Sequence, residues 1–336
     1  MSETPNPYLM PGDRADRAPR EPRALPYQWI LRGGRDPGWA WAILGICALA
    51  IVVLIAQLVP MLGVMAYYLG RGDTNEHATD LLAGDPVTPS FLLGINLGWG
   101  LSILAAWLVI WLVNGLKPRW LTSVATRVRW AWFFSCFGLA VVALIATVVV
   151  SAFLPAGASD GSEMSGQLNS FTSATRDFLI VIILFTPLQA AGEEYVFRGY
   201  LTQAVGAWFP WERAAAIAAV LVPAVLFAVA HGVQEWPIFI NRLAFGVIAG
   251  ILVLRTGGLE AGIAMHILNN FLAFGFALAF GDMTESLNPE GSSWWSLVPT
   301  LTQSLVYLGL CLFVARLMGV RTTTDATVLA APPPRV

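Results

Sequence analysis

Three charged residues, Glu193, Glu194 and Arg198, stand at the end of a long apolar run near the middle of the chain. The run is FLIVIILFTPLQAAG, and the charges follow in the stretch EEYVFR. A charged side chain at the centre of a membrane helix costs about 2.5–3.5 kcal/mol on insertion scales, so such residues are rare and usually functional. Their position therefore indicates a functional site inside a membrane.

Helix geometry separates the two glutamates. Residues four apart lie on one face of a helix, and adjacent residues are turned by about 100°. This spacing predicts an ion pair between Glu194 and Arg198 and leaves Glu193 without a partner on its own helix. Such a pair alone is also explained by long side chains that reach the membrane interface. An unpaired second glutamate has no comparable structural role, so Glu193 is the candidate reactive group.

Two histidines and an asparagine stand in other apolar segments. His231 ends VLFAVAH, and His266 and Asn270 share a helix face in GIAMHILNN. Each of them alone is explained by hydrogen bonding between membrane helices. Together with Glu193 they supply a free carboxylate, two imidazoles and a carboxamide, and this combination favours a site.

Several hydrolytic mechanisms are disfavoured by what the apolar segments lack. The sequence has no HExxH, which is the pattern of a zinc site on a single helix. No GxSG-like serine lies in an apolar segment, which argues against a serine mechanism. Only one aspartate, Asp177 at the start of the segment 175–200, falls within these segments, which argues against a pair of catalytic aspartates. Glutamate combined with histidine remains.

The elements that position these residues are predicted to be membrane-spanning helices. The chain has 336 residues, of which 57% are hydrophobic and 12% are charged, and its mean hydropathy is +0.66. Soluble domains carry about 25% charged residues, so the composition predicts a polytopic membrane protein. We expect an all-α bundle of about eight transmembrane helices around an intramembrane polar cavity. The apolar segments are 39–69, 91–113, 129–154, 175–200, 213–231, 237–254, 258–280 and 294–318.

The bundle is predicted to occupy residues 37–320, between a disordered tail at 1–36 and a flexible tail at 321–336. Arginines and Lys117 flank alternate ends of the segments, and acidic residues fill the intervening loops. By the positive-inside rule, both tails face the cytoplasm, which favours a multi-pass protein of the plasma membrane. Arginine supplies every basic residue except Lys117, which suggests a bacterial source.

The predicted limits of the membrane spans place a requirement on the fold. Glu193 and His266 fall near the predicted cytoplasmic side, whereas His231 lies about 27 Å along its helix after Arg213. The three residues meet only if that helix extends beyond the membrane at its start, tilts strongly or is broken, for example at Pro223. Otherwise the predicted limits of the spans are wrong.

The charged and polar stretches also carry a family resemblance. EEYVFR at 193–198, FAVAH at 227–231 and HILNN at 266–270 resemble the motifs EExxxR, FxxxH and HxxxN. These motifs belong to the CPBP intramembrane proteases, which comprise the type II CAAX prenyl endopeptidases and the bacteriocin-processing Abi proteins. All three occur in the family's order with helical spacing. The resemblance covers about residues 175–275.

The resemblance implies hydrolysis of a peptide bond. Glu193 would be the general base that activates water, and His231 would help to position that water. His266 and Asn270 would donate to the oxyanion of the tetrahedral intermediate, at about 10²–10³-fold in rate per donor. We therefore predict an intramembrane endopeptidase that acts on a membrane-associated peptide or protein.

In the same resemblance, Glu194 and Arg198 would support the site structurally, which agrees with the ion pair that their spacing predicts. No cofactor is expected. As an alternative, because the family has also been called a metalloprotease family, Glu193, His231 and His266 would hold one zinc ion with two histidines and one glutamate. The metal-free mechanism is the preferred hypothesis.

Two other functions stay open. One is a non-catalytic membrane scaffold or bacteriocin-immunity factor of the same fold, which acts by binding. The other is a transporter, although the sequence lacks the repeated halves typical of that class. The expected partners are membrane lipid and a peptide or membrane-protein substrate, with no nucleic acid, and the oligomeric state is not indicated. Asn241 and Arg242 either line the cavity and touch substrate or, for Arg242, reach the outer interface.

Overall fold

The computed structural model describes residues 23–35, 39–155, 166–232, 234–289 and 291–331. The protein is 76% helical with almost no strands, and eight helices of the described chain are long and apolar enough to cross a membrane. The predicted all-α, polytopic bundle is thereby confirmed. Its α-helices are α1 (Trp39–Gly70), α2 (Asn75–Ala83), α3 (Pro89–Leu112), α4 (Trp130–Ser151), α5 (Ser173–Glu194), α6 (Thr202–Trp208), α7 (Glu212–Val229), α8 (Trp236–Thr256), α9 (Glu260–Phe280), α10 (Met283–Leu287) and α11 (Leu297–Leu317).

The helix that carries the two glutamates is longer than the sequence predicts. α5 passes directly into a π-helical segment, Tyr195–Leu201, and then into α6, so that one span runs over Ser173–Trp208. The predicted end at residue 200 is wrong. The polar residues interrupt the apolar run, but the backbone hydrogen bonding of the helix continues through them.

This added length brings Glu193 and His231 to a similar depth. Counted along the chain, Glu193 lies about 22 Å before the end of α6 at Trp208, and His231 lies about 28 Å after the start of α7 at Glu212. α7 packs against α6 as it returns. The helix that leads to His231 therefore starts far enough out to satisfy the requirement, and α7 continues through Pro223.

The π-helical segment lies at the centre of the bundle. All seven of its residues are buried, and most of them belong to the main hydrophobic core. α3 packs between α1 and α5, while α9 contacts α4, α5 and α8. Because π-helical turns are rare and occur frequently at functional sites, this position marks the segment as part of a site.

Parts of both predicted tails pack against the bundle. Within the range predicted as a disordered tail, Tyr27–Gly33 forms a 3₁₀ helix whose first five residues are buried, and it packs on α6. A two-stranded pairing joins β1 (Arg23–Ala24) to β2 (Ala330–Ala331) and so holds the two ends of the chain together. The tail predictions are wrong for these residues, because buried aromatic side chains anchor a stretch whose composition is otherwise polar. Residues 1–22 and 332–336 lie outside the described residues.

Arginine side chains bind the C-terminal ends of two helices. Arg32 donates to the carbonyl oxygens of Ala207 and Phe209 at the end of α6, and Arg35 donates to that of Leu112 at the end of α3. The last carbonyl groups of a helix lack partners within the helix and carry its negative dipole end. The N-terminal segment therefore caps the long span that holds the glutamates.

α3 and α5 approach each other closely at Gly192, immediately before the glutamates. A Cβ atom at this position would lie 1.8 Å from the carbonyl oxygen of Trp99, which is backbone and has no easy way to move aside. A Cβ atom at Gly138, in the middle of α4, would meet nothing within 4 Å. The two glycines therefore make a matched pair for a test of this packing.

We expect Gly192→Ala to lower the free energy of unfolding of the purified protein in detergent by about 1–3 kcal/mol, because the added methyl group forces α3 and α5 apart. Gly138→Ala should leave the stability unchanged or raise it slightly, since alanine is the better helix former. Thermal unfolding of both variants measures the difference. Equal stability of the two variants would show that α3 and α5 are not in close contact at Gly192.

Candidate active site

Glu194 and Arg198 form a fully buried ion pair. Arg198 Nη1 donates to Glu194 Oε1 at 2.9 Å, and the two side chains are only 1% and 0% exposed. The Arg198 guanidinium carbon also lies 4.1 Å from the centre of the Phe227 ring, in a cation–π contact. The pair predicted from the spacing is present, and its burial rules out the alternative of a pair that reaches the membrane interface.

The Glu194 carboxylate fits against α9 because a glycine faces it. A Cβ atom at Gly262 would lie 2.7 Å from Glu194 Oε2. Gly262 therefore lets the backbone of α9 come close to the carboxylate. This contact joins α9 to the end of α5 one turn before His266.

His266 lies between the two glutamates. Its Nδ1 is 3.1 Å from Glu194 Oε1, and its Nε2 is 3.6 Å from Glu193 Oε2. The ring of Phe245 packs edge-on at 5.1 Å between ring centres. Since a carboxylate can only accept, Nδ1 donates to Glu194, and Nε2 is the ring atom that faces Glu193.

Gln189 is a site residue that the sequence analysis missed. Its Nε2 donates to Glu193 Oε1, and its Oε1 accepts from Asn270 Nδ2 at 2.9 Å. Gln189 therefore joins the carboxylate on α5 to the carboxamide on α9. The signal was available, because an amide four residues before Glu193 lies on the same helix face within an apolar run.

His231 stands two residues after the end of α7 and lies at the exposed edge of the site. Its Nδ1 is 2.7 Å from the carbonyl oxygen of Phe227, so Nδ1 carries the proton and Nε2 is left as an acceptor. Glu193, His266 and Arg242 are close enough to His231 to act on it electrostatically. Within the described chain, no hydrogen bond joins His231 directly to Glu193.

Asn241 and Arg242, on α8, point to different places. Arg242 Nη1 donates to Gln234 Oε1, and it lies close enough to Glu193 for an electrostatic interaction. Asn241 Nδ2 donates to Ser296 Oγ at 2.8 Å, beside the start of α11. Arg242 is therefore next to the site, as the first of the two predicted alternatives requires, whereas Asn241 binds a neighbouring helix.

The residues of the alternative zinc site do not form a ligand set in this geometry. Among the described residues, no three His, Cys, Asp or Glu side chains are grouped as ligands of a metal ion. His266 directs both of its ring nitrogens at carboxylates, and His231 directs Nδ1 at a backbone carbonyl. Zinc is bound at about 2.0–2.2 Å by nitrogen and oxygen ligands, so Glu193, His231 and His266 would have to move to hold it.

The three motifs thus meet at one site, which is buried except at His231, and a comparison with protein families covers that part of the chain. Residues 175–272 match the family model described as type II CAAX prenyl endopeptidase, Rce1-like. Residues 175–272 are called the Rce1-like domain below, after the family model that they match. The match includes every residue of the candidate site and confirms the resemblance seen in the sequence. No curated protein and no solved structure is significantly similar to the chain.

The Rce1-like domain supports a general function of the intramembrane protease type, and hence a hydrolase. Its limits coincide closely with the predicted core at about 175–275. Outside it, α1, α3, α4 and α11 complete the membrane bundle. The candidate site residues therefore lie on α5, the π-helical segment, α8 and α9, and just after α7.

Arg198→Met should destabilise the Rce1-like domain strongly, because it leaves the buried Glu194 carboxylate without its cation. Removing one partner of a buried pair costs about 3–5 kcal/mol. The double variant Glu194→Gln/Arg198→Met removes both charges and should recover a large part of the loss. Thermal unfolding in detergent measures both effects.

Arg213→Met, at an exposed arginine near the start of α7, is the matched control and should change stability little. If Arg198→Met were as stable as Arg213→Met, the ion pair would not support the fold.

Proposed function

We propose that the protein is an intramembrane endopeptidase that hydrolyses a peptide bond in a membrane-associated peptide or protein, with Glu193 as the general base. The observation that carries this proposal is the different engagement of the two glutamates. Glu194 forms an ion pair with Arg198, whereas Glu193 Oε1 accepts from the neutral amide of Gln189; Oε2 of each glutamate has no hydrogen-bond donor among the described residues. A fixed carboxylate with one oxygen not engaged by the protein is suited to accept a proton from water.

The reaction balances with water as the only co-reactant. Glu193 accepts a proton from water while the water oxygen forms a bond to the peptide carbonyl carbon. The resulting tetrahedral intermediate carries its negative charge on the former carbonyl oxygen. When the carbon–nitrogen bond breaks, Glu193 returns the proton to the departing amine; the new carboxylic acid then gives its own proton to that amine, and a carboxylate and an ammonium group are released.

The neighbouring side chains have the donors and acceptors that these steps need. His231 Nε2, left as an acceptor, would accept a hydrogen bond from the second O–H group of the water. Asn270 Nδ2 gives one N–H to Gln189 and keeps the other for the oxyanion. For His266 to donate to the oxyanion from Nε2, the ring atom that faces Glu193, the ring must carry a proton on both nitrogens, because its Nδ1 donates to Glu194.

The proposal includes a metal-free mechanism and a defined orientation. It is supported by the position of His266, which lies between two carboxylates and not among ligands. Both termini are proposed to face the cytoplasm of a plasma membrane, with lipid and a peptide or membrane-protein substrate as partners. The pairing of β1 with β2 and the arginine-rich ends support a common side for the two termini.

Glu193→Gln should reduce proteolysis by about 10²–10⁴-fold, because the amide accepts the hydrogen bond from Gln189 but cannot take a proton from water. The measurement is cleavage of a fluorogenic peptide library by the protein in liposomes, with and without a zinc chelator. Glu76→Gln, at an exposed glutamate of α2, is the matched control and should keep full activity.

Activity of wild type that survives the chelator supports the metal-free mechanism, whereas its loss would establish a metal site. Folded Glu193→Gln with wild-type activity would exclude Glu193 as the base. If neither protein cleaved any substrate, the non-catalytic scaffold or immunity factor would replace the protease as the leading hypothesis.

Gln189 is proposed as a positioning residue that acts through Glu193 and Asn270. Gln189→Leu keeps the size of the side chain but removes both hydrogen bonds, and we expect kcat to fall about 10–100-fold with a smaller change in KM. In an Asn270→Ala background, the same substitution should cost less, because part of its effect is already lost.

The control for Gln189 is Gln203→Leu, at another buried glutamine of the same continuous span. Gln203 donates to the carbonyl oxygen of Trp120, away from the glutamates, so its loss should alter stability and leave kcat unchanged. Equal effects of Gln189→Leu in the two backgrounds, or equal effects at Gln189 and Gln203, would reduce Gln189 to a purely structural role.

A further inference from the structure

A basic pocket lies outside the candidate active site, between the end of α3 and the start of α4. It is a cavity of about 450 Å³, lined by two threonines, one tryptophan and three basic residues. The basic residues are Lys117, Arg119 and Arg127, and all three are exposed. None of the functions discussed above uses this pocket.

The three cations of the basic pocket have no protein partner among the described residues, whether an acid, a carbonyl or an aromatic ring. Arg129, two residues after Arg127, behaves differently. It forms a two-point ion pair with Glu260 at 2.6 and 2.8 Å and also donates to the carbonyl oxygen of Thr256. The fold therefore pairs the nearby arginine that it needs and leaves three converging cations open to an anion.

The backbone of the basic pocket is held in a conformation that a threonine rarely adopts. Thr126 has a φ of 57°, in the left-handed region that disfavours β-branched residues. The turn is fixed by Ser123, whose hydroxyl donates to the carbonyl oxygen of Arg127 and whose own carbonyl accepts from the Thr126 amide. Backbone strain of this kind clusters at binding sites and is the second feature that marks the pocket.

The surroundings of the basic pocket are those of a membrane interface. Trp107 lines it, and Trp111 and Trp130 are exposed next to it, as is typical of tryptophans at the level of lipid headgroups. On the membrane side of Trp107, α3 exposes Leu101 and Leu104 on its outer surface. A ligand with a negative head and apolar tails fits this sequence of charge, aromatic ring and aliphatic side chains.

We propose that the basic pocket binds the phosphate headgroup of an anionic phospholipid, whose acyl chains lie along α3. Lys117, Arg119 and Arg127 bind the phosphate, and Trp107 packs against the glycerol region. Basic residues near the membrane surface each contribute about 1 kcal/mol to attraction by anionic lipid, and a built pocket adds specificity.

The basic pocket is also connected to the helix that carries the glutamates. Thr122, which lines it, forms a 2.7 Å hydrogen bond between its hydroxyl and that of Tyr195, and the ring of Trp107 lies 6.2 Å from the ring of Tyr195. Tyr195 is the residue after Glu194. A bound lipid therefore stabilises the first residue of the π-helical segment, and its binding is measurable without any assay of proteolysis.

The test is thermal unfolding of the purified full chain in a neutral detergent with phosphatidylglycerol, with phosphatidylcholine or with inorganic phosphate. We expect phosphatidylglycerol to raise Tm by about 5 °C at saturation, because it binds the folded state, and the other two additions to raise it much less. A rise with inorganic phosphate equal to that with phosphatidylglycerol would overturn the lipid assignment in favour of a free phosphate. Equal shifts with the two lipids would overturn the anion site.

The variant Lys117→Gln/Arg119→Gln/Arg127→Gln should lose most of the shift given by phosphatidylglycerol. The matched control removes the same charge at three exposed arginines elsewhere, in the variant Arg213→Gln/Arg255→Gln/Arg316→Gln, and should keep the shift. Equal losses in both variants would reduce the effect to general surface charge. Should the first triple variant not fold, each of its single substitutions must lower the shift, and full retention in all three would overturn the proposal.

Discussion

The burial of Glu194 and Arg198 is the constraint on which the rest of the bundle depends. Two opposite charges at 0–1% exposure are tolerated in an apolar interior only when they face each other and when the neighbouring groups accommodate them closely. Those groups come from three other helices: His266 and Gly262 on α9, Phe227 on α7 and Phe245 on α8. The pair therefore fixes how four helices meet.

The same constraint frees the adjacent glutamate. Glu194 takes Arg198 and one nitrogen of His266, so Glu193 is left with an amide, Gln189, and with the other nitrogen of His266. Two identical side chains next to each other in sequence thus have different surroundings because they leave the helix about 100° apart. One glutamate is engaged by a cation, and the other accepts a hydrogen bond only from a neutral amide.

The spacing of residues within each helix predicted much of this site. It could not predict the contacts between segments that are distant in sequence. The Glu194–Arg198 pair follows from four-residue spacing, and so does the common face of His266 and Asn270. The position of His266 between both glutamates and the bridge made by Gln189 depend on how α9 packs against α5, for which one sequence carries no signal. The pairing of Arg129 with Glu260 was missed for the same reason. Hydropathy placed the eight spans but ended the fourth one too early, since it measures the polarity of side chains and not the continuity of the backbone.

The depth of the site is set at the ends of the helices that carry it. At the end of α6, Arg32 binds the last carbonyl groups, and at the start of α9, Arg129 binds the Glu260 carboxylate, which itself lies at the positive end of that helix dipole. Both contacts are between long side chains and fixed backbone or buried groups, so each helix is held against sliding along its axis. A shift of one residue along α9 would move His266 by about 1.5 Å and turn it by about 100°. That rotation would remove both of its contacts with the glutamates. The arginines at the helix ends therefore contribute to the site without touching it, because they maintain the register on which its distances depend.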